Sequence, residues 1–303
     1  MKNKSYRITL RILLSSILVF VPGALLLEAA DLSAETVKAW NSYVKATEAR
    51  ISKELSSKDK FLALEFQPED RVNRELKSLF AGEIPITEVK SVDANGREIE
   101  VPDGMMHHWR GSVFIPNIAL DAVYARVANP SIEDTRQEDV LDSAVLERNP
   151  DSLKLYLKLQ RSKIITVVYN TEHQVRFQRP NANRAWSRSM ATKIAEIENP
   201  HSDNERERPE GHDRGFLWRM NSYWRYKQVE GGVIVECESI TLSRSIPAVI
   251  KYFVNPLIKK VARESMNRTL DSMRNRLSRA SAIDPSITSV RFDGGQSATM
   301  RTP

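Results

Sequence analysis

The stretch from Gly215 to Arg244, GFLWRMNSYWRYKQVEGGVIVECESITLSR, constrains the fold more than any other part of the chain. Strand-forming residues alternate with polar ones on both sides of Glu230-Gly231-Gly232. Glycine in a tight turn supplies the positive φ that matches the twist of a hairpin, so two long antiparallel strands are predicted. A helix follows. Asn255 before Pro256 combines an N-cap residue with proline at the first helical position. Beyond it, Ile258, Ala262, Met266, Thr269, Leu270, Met273 and Leu277 form one apolar stripe. A shorter helical piece, Ile246–Phe253, leads in and ends where Pro256 breaks it. A sheet that ends in one long helix can wrap around that helix and leave an apolar cleft between the two.

The first thirty residues stand apart. Lys2, Lys4, Arg7 and Arg11 precede an apolar run, Ile12–Leu27, which ends at Ala29-Ala30. That is the order of a secretory signal peptide, predicted over 1–30 with cleavage near Ala29 and a periplasmic or secreted product. The alternative is an uncleaved N-terminal membrane anchor; the run is short for a span of about 20 residues. The whole chain carries +6, but residues 1–29 hold four basic groups and one acid, so the remainder carries +3. Much of the basicity is thus targeting signal, and no nucleic-acid partner is expected. The single Cys237 has no internal disulfide partner; between Val235 and Ser239 it reads as a small buried hydrophobe.

Between these ends, apolar positions at helical spacing predict one amphipathic helix over Leu32–Leu55. Pro68 and the charged stretch to Arg74 break the pattern, and a short helix over Leu76–Phe80 follows. Asn95-Gly96 between Ile86–Val92 and Arg97–Val101 predicts a second hairpin. Met105–Ile115 reads as a strand stopped by Pro116, Asn117–Val127 as a helix, and Ile132–Asp139 as a second short one. Strands are predicted at Val140–Arg148, Leu153–Arg161, Ile164–Arg179 and Ala185–Glu198, with an exposed loop at Asn199–Arg214. Ala280–Pro303, rich in Ser, Thr and Gly, is predicted to be a disordered tail.

Five segments carry a resemblance: HHWRGSVFIPN (His107–Asn117), ITVVYNTEHQVRF (Ile165–Phe177), SRSMATKIAEIE (Ser187–Glu198), GFLWRMNSYWRY (Gly215–Tyr226) and VECESITLSRSIP (Val235–Pro247). In these the chain resembles a START-like group of exported bacterial proteins in the SRPBCC superfamily. The resemblance implies an α+β helix-grip fold of the START and Bet v 1 type, an antiparallel sheet wrapped around a long C-terminal helix. It would occupy residues 103–279, preceded by a helix-and-hairpin extension over 31–102. Members of the superfamily hold lipids, sterols or other apolar molecules between sheet and helix, and some are enzymes or cyclases. The fold therefore leaves function to the site. Ser131–Asp142 departs from the aromatic-rich version of the group.

Strand alternation then assigns faces. Phe216, Trp218, Met220, Ser222 and Trp224 share one face, and Tyr169, Thr171, His173 and Val175 share an inward one. His108 lies with Arg110, Ser112 and Phe114; its neighbour His107 points the other way, so the two cannot bind one metal. The expected ligand-binding set is His108, Arg110, Phe114, Tyr169, His173, Phe216, Trp218, Met220, Trp224, Met266 and Met273. Arg110 would grip a carboxylate or phosphate head. Glu236 and Glu238 are read as an exposed charge ladder with Arg219 or Arg225. No catalytic residue, metal or cofactor is assigned, since phosphate-binding glycine loops and nucleophile elbows are missing from the sequence. The expected partner is a hydrophobic small molecule or lipid, with membrane-surface contact through Lys259, Lys260 and Arg263. Two rival readings are an enzyme of hydrolase or cyclase type on the same cavity, and an envelope interaction module with a packed core.

Overall fold

The long strands form where apolar and polar residues alternate, and they pair into one antiparallel sheet. The computed structural model describes residues 30–130, 139–162, 166–210, 212–245 and 248–283. Its strands are β1 (Ala30–Asp31), β2 (Ile86–Glu88), β3 (Gly104–Pro116), β4 (Val140–Asn149), β5 (Ser152–Ser162), β6 (Thr166–Asn181), β7 (Arg184–Glu198), β8 (Arg206–Glu207), β9 (His212–Asp213), β10 (Arg219–Val229) and β11 (Gly232–Arg244). The helices are α1 (Ala34–Leu55), α2 (Glu69–Phe80), α3 (Leu120–Ala128) and α4 (Ala248–Ile283), with a 3-10 turn at Ala63–Phe66. The main sheet runs β2-β3-β11-β10-β7-β6-β5-β4, with β8 attached to β7, and β1 pairs separately with β9. This is the helix-grip arrangement, with α4 laid against the sheet. No helix among the described residues is long and apolar enough to cross a membrane.

The β10–β11 hairpin closes with Val229 opposite Gly232, and Gly231 takes φ 76° in the turn. Gly232 is required for a different reason. A Cβ there would stand 2.2 Å from the Ile115 carbonyl oxygen, so only glycine lets β11 begin against the end of β3. At Gly111 a Cβ would meet Leu270 at 2.7 Å and Met266 at 2.9 Å, so glycine lets α4 lie close against β3 there.

Both faces of the sheet are covered. On one, Val113, Ile115, Val233, Val235 and Cys237 pack with Met266, Leu270 and Leu277 of α4. On the other, Trp40, Tyr43 and Ile51 of α1 pack on Tyr223, Ile240 and Leu242, while Phe61, Leu62, Leu64 and Leu79 pack on Ile234. The start of α1 is set by Ser33, whose Oγ accepts the Thr36 N–H at 3.1 Å, and Thr36 Oγ1 donates to the Pro102 carbonyl at 2.8 Å. The extension is therefore a third layer that completes the core.

Several expectations change. The charged stretch after Pro68 forms the first turns of α2, because Glu69 and Asp70 complement the N-terminal end of the helix dipole. The predicted second hairpin has its turn, with Gly96 at φ 77° and a bridge from Val92 to Glu98. Its first strand is short, however, and pairs with β3 instead. Asn255 does not cap a helix; α4 runs unbroken from Ala248 through Pro256 to Ile283. Proline's φ suits a helix, so its cost is one missing N–H donor and a local clash. The helix also enters the segment predicted as tail. The signal region, the helix predicted over Ile132–Asp139 (all but its last residue) and residues 284–303 lie outside the described residues.

Candidate functional site

Between the sheet and α4 lies a cleft of about 290 Å³. Its floor comes from β5, where LKLYLKLQR alternates strictly and places Leu153, Leu155, Leu157, Leu159 and Arg161 on the face toward α4. His173, Val175 and Phe177 of β6 continue the floor, followed by Ser187 and Ser189 of β7. Met220, Ser222, Trp224 and Tyr226 of β10 form the next wall. Thr269, Met273, Arg276 and Leu277 of α4 close the top, and Arg126, Val127, Pro130, Asp139 and Val140 border it. A second depression of about 420 Å³ runs along Ala34, Val37, Lys38, Asn41, Ser42 and Lys45; all six lie on α1, so it has no opposing wall.

The polar groups of the cleft have defined roles. Thr171 Oγ1 donates to the Leu157 carbonyl at 3.0 Å, so at 3.0 Å from His173 Nε2 it accepts the imidazole N–H. Nδ1 is then the acceptor of a neutral ring. Burial lowers the His173 pKa to about 4, which makes it neutral near pH 7 and too weak a base for proton abstraction there. Asp139 Oδ2 bridges Arg161 and Arg268, the second at 3.1 Å. Burial draws the Arg161 pKa down against the attraction of Asp139. Cys237 is buried on the α4 face, and burial beside Glu238 and Glu236 pushes its thiol well above the ordinary range. It behaves as a small hydrophobe. Among the described residues, no three His, Cys, Asp or Glu side chains are grouped to hold a metal ion.

Of the residues proposed from the sequence, the fold brings His173, Met220, Trp224 and Met273 to the cleft. Met266 packs instead in the core beneath α4. Tyr169 and Phe216 do not line the cleft; they pack with Met220 beside it, and the buried Tyr169 hydroxyl finds no hydrogen-bond partner. Trp218 precedes β10 and turns to the α1 layer, its Nε1 donating to Asp213 at 3.0 Å. His108, Arg110 and Phe114 also face the α1 layer, because every even-numbered residue of β3 points away from α4. The β5 leucines, Arg126, Arg161 and Arg276 are cleft residues outside the set expected from the sequence, although the leucine alternation is visible in LKLYLKLQR.

On that opposite face, the supposed exposed ladder is a buried ionic layer. Glu236 and Glu238 are 1 % and 3 % exposed, and Arg225 is 3 % exposed. The extension excludes water that an isolated sheet would leave in place. Tyr43 accepts the Ser91 N–H at 3.0 Å, and its hydroxyl lies 2.9 Å from His108 Nδ1. His108 Nε2 lies 2.7 Å from Glu238, which also binds Arg50. Burial alone would raise the Glu238 pKa, but the hydrogen bond from His108 and the charge of Arg50 hold it near 2. Glu236 accepts the N–H groups of Ala63 and Leu64 at 2.6 and 3.0 Å, capping the 3-10 turn. Burial pushes its carboxyl up against the pull of Arg225 and Arg110. Arg225 in turn binds Glu54 at 2.5 Å and the Phe61 carbonyl at 2.8 Å. This layer welds α1 and the 3-10 turn to the sheet.

No protein-family model and no curated protein sequence matches the chain. Solved structures similar to it include a STAR-related lipid transfer protein from Xanthomonas axonopodis, at 16 % identity and TM-score 0.39, covering 63 % of this chain and 98 % of that one. Human STARD10 aligns at 9 % identity and TM-score 0.41, over 77 % of this chain and 89 % of its own. The Zhui aromatase/cyclase from Streptomyces sp. R1128 aligns at 9 % identity and TM-score 0.39, over 60 % and 98 %. The helix-grip assignment itself rests on the strand order and on α4 laid against the sheet.

Proposed function

We propose that this is an exported protein that binds a hydrophobic, lipid-like ligand in the cleft between the sheet and α4. The observation that carries the reading is the cleft wall. Four leucines, Val175, Phe177 and Trp224 line it, with a few placed polar groups, which is the composition of a small-molecule site. Affinity would come from buried apolar area at about 25 cal/mol per Å², and His173 and the serines would orient the ligand. Export draws its support from the basic and apolar order of residues 2–30. Contact with a membrane surface draws support from exposed Leu257 beside Lys259 and Lys260, whose charges suit anionic head groups.

An enzyme reading has weaker support, since the one imidazole in the cleft titrates near 4 and donates its N–H to Thr171. A packed-core module is disfavoured by the open volume beneath α4. Native mass spectrometry with solvent extraction, on protein recovered from its own host, tests the proposal. A stoichiometric apolar molecule is expected. Protein that is empty from the host and takes up no lipid when offered one would refute the reading.

A further inference from the structure

We infer that the cleft takes a single extended acyl chain with an anionic head, lying along the β5 leucines with its head at Arg161. This inference rests on the hydrophobic-ligand reading and narrows it to a chemical class. Leu153, Leu155, Leu157 and Leu159 repeat every second residue on one face, a straight apolar rail of about 20 Å at strand rise. The same face ends in Arg161. A rail of uniform width that terminates in a guanidinium matches a linear amphiphile better than a compact ring system.

Volume and charge agree. About 290 Å³ lies just under the usual range for small-molecule sites, which leaves room for one chain and little for a second. Asp139 brings the Arg161 and Arg268 guanidiniums together at the end of the rail. A guanidinium has five N–H donors in a planar fork, and the contacts of Arg161 to Asp139 and to the Gln160 carbonyl both use Nη1. A carboxylate or phosphate arriving there meets donors already oriented by Asp139.

Isothermal titration of the purified full chain would use palmitate, 1-palmitoyl-lysophosphatidylglycerol, hexadecanol and two-chain phosphatidylglycerol vesicles. One equivalent of palmitate or of the lysolipid should bind, and which of them binds tighter identifies the head group. Hexadecanol, with the same chain and no charge, should bind at least about tenfold more weakly, the loss of a charge-assisted hydrogen bond. Arg161→Gln should weaken the anion by a similar factor and leave hexadecanol unchanged, which also reports that the variant is folded. Equal affinity for palmitate and hexadecanol, or an equal effect of Arg161→Gln on both, would overturn the inference. Binding of two-chain lipid alone would overturn it while sparing the hydrophobic-ligand reading. No binding by any of the four would overturn both.

Discussion

Replacing Glu238 by Gln removes one charge from the layer beneath α1 and little else, because Gln keeps the shape and an oxygen for His108 and Arg50. The folded carboxyl titrates near 2 against an ordinary value of 4.5. At about 1.4 kcal/mol per pKa unit, the ionised form stabilises the fold by about 3 kcal/mol near neutral pH. Because the folded pKa is depressed, that stabilisation is complete above 4.5 and is lost as pH falls through 2. At about pH 3 it should have shrunk to about 1 kcal/mol. Urea unfolding of wild type and Glu238→Gln at several pH values reads this directly, and taking the difference cancels the titration of other carboxylates. A difference below about 1 kcal/mol at neutral pH, or one that stays constant down to pH 3, would refute the reasoning. Either outcome would mean that water reaches the layer.

Gly232→Ala should cost about 2 kcal/mol or more in the same assay, because its Cβ meets the Ile115 carbonyl, which cannot move without disturbing β3. His173→Gln should remove a pH dependence of opposite origin. The wild-type imidazole titrates near 4 when folded and 6.5 when free, so the unfolded chain takes up the proton first and stability falls as pH drops between those values. Wild type should lose about 3 kcal/mol over that interval relative to the variant. Trp40→Ala should lower stability by about 3–5 kcal/mol through loss of packing against Tyr223 and Leu242, with thermal melting as the check. Unchanged melting would show that α1 is not part of the cooperative unit.

Much of the fold was legible in local pattern. Glycine and asparagine placed the turns, and alternation gave β3 through β7 to within about two residues; the long hairpin was also legible, though its first strand begins at Arg219, four residues after Gly215. The helical spacing of Val37, Trp40, Val44, Ile51 and Leu55 gave α1. Local pattern fails at Pro256, where the helix tolerates a proline, and at Glu69–Arg74, where a charged run that breaks the apolar pattern is helical.

The candidate site divides along a sharper line. Alternation sorts His108, Arg110 and Phe114 from Trp109, Val113 and Ile115, but it does not say which set faces α4. An exposed second face would have answered by being polar. Here α1 and the 3-10 turn cover that face, so both sets are buried and both carry aromatic or charged members. The same covering turned Glu236 and Glu238 from surface charges into the centre of an ionic layer. The strands, the turns and the two-sided pattern were thus determined by the sequence alone. Which side holds the cleft was decided only when α1 and α4 took opposite faces, because burial is a property of what packs on a strand and not of the strand itself.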